Sequence, residues 1–338
     1  MGLNILFTSV GRRSYLVEYF KTALNGEGLV HVANSDVKSP AFLVADQTVV
    51  TPLIYDKEYI PFLLEYCKRN GISAIISLFD IDLPVLAKNK NLFLEIGTQV
   101  IVSDLSVIEV CNDKWKTCCY LKEHDINVPK TYISLHDAIQ DIEYRRIYFP
   151  LILKPRWGMG SIGIYEVESI AELEIFYEYV KRKVANSYLK YESMTEFENC
   201  VLIQEAINGQ EYGLDIINDL TGQYITTIVK KKCAMRSGET DCAVTVYDDG
   251  LKSIGSKLAN MLHHVANLDV DVFVSREGTV IVLEMNARFG GGYPFSHVAG
   301  VDLPRAIISW LRGEKVDESV LKEESGIMAQ KDIRIVKL

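Results

Sequence analysis

Short apolar runs alternate with amphipathic stretches over roughly the first hundred residues. Residues 4–8 form a β-rich run closed by a turn at Gly11, and Tyr15, Leu16, Tyr19 and Phe20 recur behind it at helical spacing. Residues 30–34 predict a second strand. A helix over 58–68 stops at Asn70-Gly71, and residues 74–78 predict a third strand. Residues 82–93 read as helical and 99–102 as a fourth strand. Strand–helix alternation with Val/Ile-rich runs predicts an open parallel sheet covered on both faces. Ligands of such sheets gather at the carboxyl ends of the strands, where Ser9, Arg12, Asp36, Asp80 and Asp82 fall. Helix caps and solvated turn charges are the plainer account of the same residues.

The pattern changes after residue 111. Asn112-Asp113 caps a helix over 114–123, which Asn127-Val128-Pro129 stops. A strand over 151–154 enters the loop Arg156-Trp157-Gly158-Met159-Gly160-Ser161, a second strand covers 162–167, and a helix covers 170–184. Residues 185–198 are polar and aperiodic, which predicts a loop. From residue 200 the period is two, giving strands over 200–205, 210–218, 223–232, 241–247, 269–275 and 279–286, interrupted by a helix over 251–266. A helix over 303–311 and a strand over 327–336 follow. The expected fold class is α/β followed by α+β, with bodies at 1–111, 112–199 and 200–338.

Composition narrows the function classes. At 48% hydrophobic and 24% charged, the 338 residues exclude a largely disordered chain. Acidic residues outnumber basic ones by 45 to 36, and a net charge of −9 disfavours nucleic acid as a partner. No apolar run approaches the ~20 residues that span a bilayer. Gly11-Arg12-Arg13 lacks the apolar core of an export signal. The seven cysteines show no C-x-x-C spacing and read as reduced thiols of a cytoplasmic protein.

Gly158-Met159-Gly160-Ser161-Ile162-Gly163 satisfies G-x-G-x-x-G, yet Ile164-Tyr165-Glu166-Val167 behind it is a strand pattern. The loop joins two strands and is not a dinucleotide fingerprint, which must open a helix. A glycine hairpin can still wrap phosphate with backbone N–H groups, and Lys154 at its root, just before Pro155, suits a nucleoside triphosphate. An exposed turn with a solvated lysine is the alternative.

A second constellation lies at Asp271 and Glu284-Met285-Asn286-Ala287-Arg288. Alternation puts Glu284, Asn286 and Arg288 on one face and turns Leu283, Met285 and Ala287 into apolar packing. A two-residue loop at Glu277-Gly278, with Arg276 opposite Thr279, sets Asp271 opposite Glu284. Two carboxylates and an amide are hard oxygen ligands suited to Mg²⁺, and Arg288 could neutralise a transferring phosphoryl group. The alternative is a salt bridge between Arg288 and an acid on a wet face. Between these segments, Glu205 ends one strand and Glu211 begins the next across Asn208-Gly209, a site for a purine edge and ribose or an ordinary hairpin with surface acids.

Taken in order, these segments resemble the ATP-grasp superfamily, specifically single-module relatives of the carbamoyl-phosphate synthase large subunit. The matching stretches are Asn112-Asp113-Lys114, Leu153-Lys154-Pro155 with its glycine loop, Gln204-Glu205 through Asp215, and Asp271 through Gly292. The resemblance implies an open parallel-sheet domain followed by a two-lobed ATP-grasp fold, with ATP clamped between lobes under the glycine loop. It implies phosphate contacts from Lys114, Lys154, Gly158, Gly160 and Ser161. The adenine hinge falls at Glu205, Ala206 and Ile207, and the ribose ligand at Glu211. Mg²⁺ (or Mn²⁺) falls to Asp271, Glu284 and Asn286, with Arg288 beside the γ-phosphate. Residues 230–240 resemble a loop closing over the phosphates or second substrate.

The implied reaction is ADP-forming ligation of a small-molecule carboxylate to an amine or thiol. A regulatory nucleotide-binding protein and a kinase are the rival readings. A homodimer is compatible with such a chain. Arg12, Arg13, Asp80 and Asp82 are candidates for the acceptor pocket, and His297 is either a base or structural. Carbamoyl-phosphate synthase joins two such modules where this chain has one.

Overall fold

The computed structural model describes every residue except Met1, Ser161, Arg334 and Leu338. Strands β1 (Asn4–Thr8), β2 (Val30–Asn34), β3 (Gln47–Val50), β4 (Ile72–Ser77) and β5 (Gln99–Val100) form a parallel sheet in the order β3-β2-β1-β4-β5. Ile5 and Phe7 pack on the helix Ser14–Leu24 through Leu16, Val17 and Phe20, and Leu6 packs oppositely on Tyr59 and Leu63 of the helix Tyr59–Asn70. Covering both faces is why the whole run is apolar. Strand β3 escapes the sequence pattern because it is an edge strand of mostly exposed residues. The helix expected over 82–93 breaks at Asn89 into Asp82–Lys88 and Lys90–Glu95. Strand order reverses beside β1, which opens a crevice at the carboxyl ends of β1 and β4.

Strands β6 (Thr131–Tyr132), β7 (Leu151–Pro155), β8 (Tyr165–Val167) and β9 (Val201–Glu205) form an antiparallel sheet in the order β6-β9-β7-β8. The helix Ile170–Ala185, capped by the Ser169 hydroxyl accepting from the Glu172 N–H, covers it. Leu151, Leu153, Val167, Leu173, Val180 and Ile203 make a core of this lobe alone. The strand expected over 162–167 is shorter, because Gly158, Gly160 and Gly163 take left-handed backbone angles and carry the chain out of the ladder. The loop expected at 185–198 holds a short helix, Leu189–Ser193, and a 3₁₀ turn, Phe197–Asn199, both too brief to leave a period in the sequence.

The third sheet contains β10 (Gly209–Asn218), β11 (Tyr224–Arg236), β12 (Glu239–Val246), β13 (Asn267–Ser275), β14 (Val280–Asn286) and β15 (Met328–Gln330), ordered β14-β13-β10-β11-β12-β15. All its pairings are antiparallel. Leu251 and Leu258 of the helix Asp249–Leu262 pack on Leu214, Ile216, Val229, Val270 and Val272, leaving the other face polar. That helix ends four residues before the expected 266, because His263 turns left-handed. The expected strand over 327–336 shrinks to three residues. Apolar packing runs without a break from the first sheet to the third, through Phe20, Phe289 and Tyr293 on one side. Among the described residues no helix is long and apolar enough to cross a membrane.

Candidate active site

The polar face of the third sheet is set by its register. Asp271 pairs with Glu284 and Asp269 with Asn286. The pairing expected from the sequence is present, but the route to it differs. The loop has three residues, closed by the Ser275 N–H donating to the Thr279 carbonyl and the Gly278 N–H to the Ser275 carbonyl, with Gly278 at φ +82°. A bulge between Asp271 and Val272 then restores the alignment. Leu283 sits in that bulge, so it does not pack away from the site as alternation predicts; it lines the cavity beside Glu284.

Two cavities meet at Asp271 and Glu284. The larger, about 400 Å³, lies between the lobes. Lys114, Lys154, Gly158, Gly160, Glu205, Ala206, Ile207 and Glu211 all line it. Ser161 lies outside the described residues. Ile152, Ile164, Phe273 and Leu283 form its apolar walls, which no motif marks. Lys154 is 4% exposed and has no ion-pair partner among the described residues. Burial lowers its amine to about 8, with Glu284 opposing and Lys114 assisting. The Lys114 ammonium donates to the Gly158 carbonyl at 2.5 Å and lies 3.8 Å from Glu284 Oε2.

Two anchors hold the mouth of this cavity. Asp113 caps the helix Lys114–Glu123 by accepting from the Trp115 and Lys116 N–H groups. It also accepts from Arg156 Nε at 2.7 Å and Nη2 at 2.6 Å, a buried bidentate pair that fixes the root of the glycine loop. Sequence reading finds only the cap. At the hinge, Glu205 Oε1 accepts the Lys130 N–H at 2.7 Å, so this carboxylate is already engaged by backbone. Glu211 is engaged by Lys232 Nζ at 2.7 Å.

The smaller cavity, about 100 Å³, is bounded by Arg13, Lys230, Glu239, Asp269, Asn286 and Arg288 among others. Its cations have partners. Lys230 bonds Asp215, Lys232 reaches Asp271 at 2.6 Å, and Arg288 Nη2 donates to Asp80 at 2.8 Å and Asn286 Oδ1 at 3.2 Å. Burial opposes the charge on Lys232, but Asp271 and Glu211 outweigh it and hold its proton tightly. Arg288 is held likewise by Asp80, Asp269 and Glu284. Gly290 is required here, because a Cβ would lie 2.1 Å from the Asp269 carboxylate. Burial pushes Asp271 up to about 7 in spite of Lys232, with Asp269, Glu284 and Glu211 adding to the rise. Burial would raise Glu284 too, yet Lys114, Lys154 and Lys232 prevail and keep it low.

Of the four acceptor candidates, Arg13 alone lines a cavity. Its Nη1 donates to the Leu78 and Phe289 carbonyls, and Nη2 faces Glu239 at 3.6 Å. Asp80 stands behind Arg288, Arg12 is exposed, and Asp82 is wholly buried. Asp82 accepts from Thr8, Ser77 and Tyr59 hydroxyls, which ties β1, β4 and a helix together. His297 stacks on Tyr19 at 3.7 Å and lines neither cavity. No group of three or more His, Cys, Asp or Glu side chains among the described residues could hold a metal ion. The two carboxylates and Asn286 are a hard-oxygen set that fits Mg²⁺ only with further oxygens from a phosphate.

The family described as "ATP-grasp domain" matches residues 147–295. The chain carries an ATP-grasp domain. A "PylC-like, N-terminal domain" matches residues 5–101, ahead of it. The carbamoyl phosphate synthase large chain of Thermoanaerobacter sp. (strain X514) is 25% identical over 251 residues, or 71% of this chain and 22% of that one. The Helicobacter pylori (strain ATCC 700392 / 26695) large chain is 25% identical over 289 residues, covering 80% and 25%. This chain thus spans about a quarter of the length of these relatives. Among solved structures, the biotin carboxylase domain of Hydrogenobacter thermophilus 2-oxoglutarate carboxylase, a dimer with MgADP and bicarbonate, superposes at TM-score 0.70. It is 17% identical and covers 94% of this chain and 71% of that one. The Bacillus licheniformis L-amino acid ligase gives 0.66 at 18% identity, covering 95% and 78%. These likenesses establish the shared fold.

Proposed function

We propose that this chain is an ATP- and Mg²⁺-dependent ligase that activates a small carboxylate as an acyl phosphate for attack by an amine or thiol, releasing ADP. The observation that carries the reading is the pair of adjoining cavities: one with a buried, unpaired lysine, one ringed by paired cations, sharing Asp271 and Glu284. A carboxylate resists an amine at neutral pH because its oxide is a poor leaving group, and phosphorylation supplies a good one.

In this reading Lys154 and Lys114 hold the phosphates under Gly158 and Gly160, Glu205 to Ile207 meet the base, and Glu211 meets the ribose. Asp271, Glu284 and Asn286 hold Mg²⁺, which screens phosphate charge when bound. Arg288 faces the acceptor and neutralises charge developing on the transferred group. Arg13 orients the carboxylate in the smaller cavity. The proposed compartment is the cytoplasm, the partners are small molecules, and a homodimer accords with the dimeric biotin carboxylase neighbour.

The test is ADP release by the purified chain with MgATP against carboxylate and amine libraries. Release that requires both substrates and consumes the amine supports ligation. Release with the carboxylate alone, leaving a stable phosphorylated product, makes it a kinase, and tight ATP binding without turnover makes it a regulatory protein.

A further inference from the structure

The hairpin of β11 and β12 reaches over both cavities. Met235 and Gly238 line each of them, and Glu239 and Thr240 line the smaller. Ser237 and Gly238 make its tip with positive φ at both positions. Below the tip the ladder is irregular: Lys232 pairs with Ala243, then Ala234 with Cys242, leaving Cys233 unmatched in a bulge. A bulge sets two residues of one strand against one of the other, so Cys233 and Ala234 share Cys242. Ala234 is the residue that faces Cys242, and Cys233 is its immediate neighbour in the bulge, so the two cysteines lie side by side across the ladder, the placement a disulfide between adjacent strands requires.

Exposure leaves few alternatives. Cys67, Cys111, Cys118 and Cys200 are buried, Cys119 and Cys242 are half-buried, and Cys233 is exposed; of the two half-buried thiols only Cys242 lies on the strand beside Cys233. Burial and the neighbouring Cys233 both push the Cys242 thiol up.

We infer that Cys233 and Cys242 are a redox pair, which a hydroperoxide joins as a disulfide that fixes the hairpin over the two cavities. The exposed Cys233, as thiolate, attacks one peroxide oxygen. The O–O bond breaks, Cys233 becomes a sulfenic acid, and the other oxygen leaves as hydroxide (from hydrogen peroxide) or alkoxide (from an organic hydroperoxide) and takes up a proton. Cys242 then attacks the Cys233 sulfur, the S–S bond forms, the S–O bond breaks, and the departing oxygen leaves as water with the Cys242 proton. Both sulfurs are oxidised by one electron each, the peroxide is reduced by two, and a dithiol reverses the change. In a reducing compartment such a bond is transient and regulatory. The thiol chemistry stands whether or not the chain proves to be a ligase.

The experiment treats the full chain with hydrogen peroxide, alkylates it and digests it with trypsin. The expected product joins the peptide of residues 233–236 to that of residues 237–252, with loss of two free thiols, and dithiothreitol separates them. Cys233→Ser and Cys242→Ser each abolish the joined peptide, while Cys119→Ser leaves it intact. Hydrogen exchange of residues 235–240 should slow about tenfold in the oxidised chain and return on reduction. Peptides that stay separate, a bridge to another cysteine, or a joined pair with unchanged tip exchange would each overturn the inference.

Discussion

Beneath the glycine loop, Lys154 is buried with no acid within ion-pair distance among the described residues, and its proton is loosely held. Across the same two carboxylates, Lys230, Lys232 and Arg288 are equally buried, yet each has an acidic partner and Lys232 and Arg288 hold their protons firmly. The difference separates two uses of positive charge. An unpaired buried cation is costly until an anion arrives, so it favours binding. A paired one is already neutralised, so it offers orientation and a fixed field for charge that develops later.

The strongest way to break this comparison is Arg288→Ala. Turnover should fall ~10²-fold or more while MgATP affinity stays within a few-fold, the pattern of a contact made mainly in the transition state. Calorimetry of MgATP binding beside ADP release separates the two quantities, and equal losses in both would erase the distinction.

Lys154→Ala should do the opposite, weakening MgATP by about 10- to 100-fold, the worth of one charge-assisted contact in a buried site. Unchanged affinity would mean that the lysine never meets phosphate. The same lysine sets a pH dependence. Its amine titrates at about 8 in the free protein, and a bound phosphate raises that value. Binding therefore takes up a proton above about 8, and affinity should be flat below that pH and decline above it. In Lys154→Ala the alkaline decline should vanish.

Asp80→Asn sharpens the other side. Arg288 keeps its charge but loses its ionic partner from the first domain, so turnover should drop about tenfold with MgATP binding intact. A wild-type rate would show that the Asp269, Phe289 and Asn286 contacts suffice to orient the guanidinium.

The parallel sheet was legible because two-sided burial writes continuous apolar runs, as in residues 4–8 and 72–77, whereas the exposed edge at Gln47–Val50 leaves no such mark. The Asp271–Glu284 pairing was legible only in outcome. A two-residue loop without a bulge and a three-residue loop with one give the same alignment at 271, and they differ in where Leu283 points. The lysines and carboxylates of the site stood out because charged residues inside strand patterns are conspicuous. Asp80 and Arg13 were legible as acceptor-pocket candidates, but their contacts with Arg288 and Phe289 were not, because those partners lie more than two hundred residues away along the chain. The Cys233–Cys242 pair hides for a related reason: a spacing of nine has no motif, and only the ladder brings the two together.

The separate core of the glycine-loop lobe bears on how the molecule melts. Leu151, Leu173 and Ile203 pack within that lobe, while the first and third sheets share their apolar packing. Two cores that do not interleave need not lose structure at one temperature. A calorimetric scan of the nucleotide-free chain should resolve two endotherms, the smaller belonging to residues 130–205. In the proposed reading MgATP bridges both bodies and binds neither once one has unfolded, so it should draw the two endotherms toward a single, later peak. The nucleotide would then be the mortar between two blocks that heat can otherwise part.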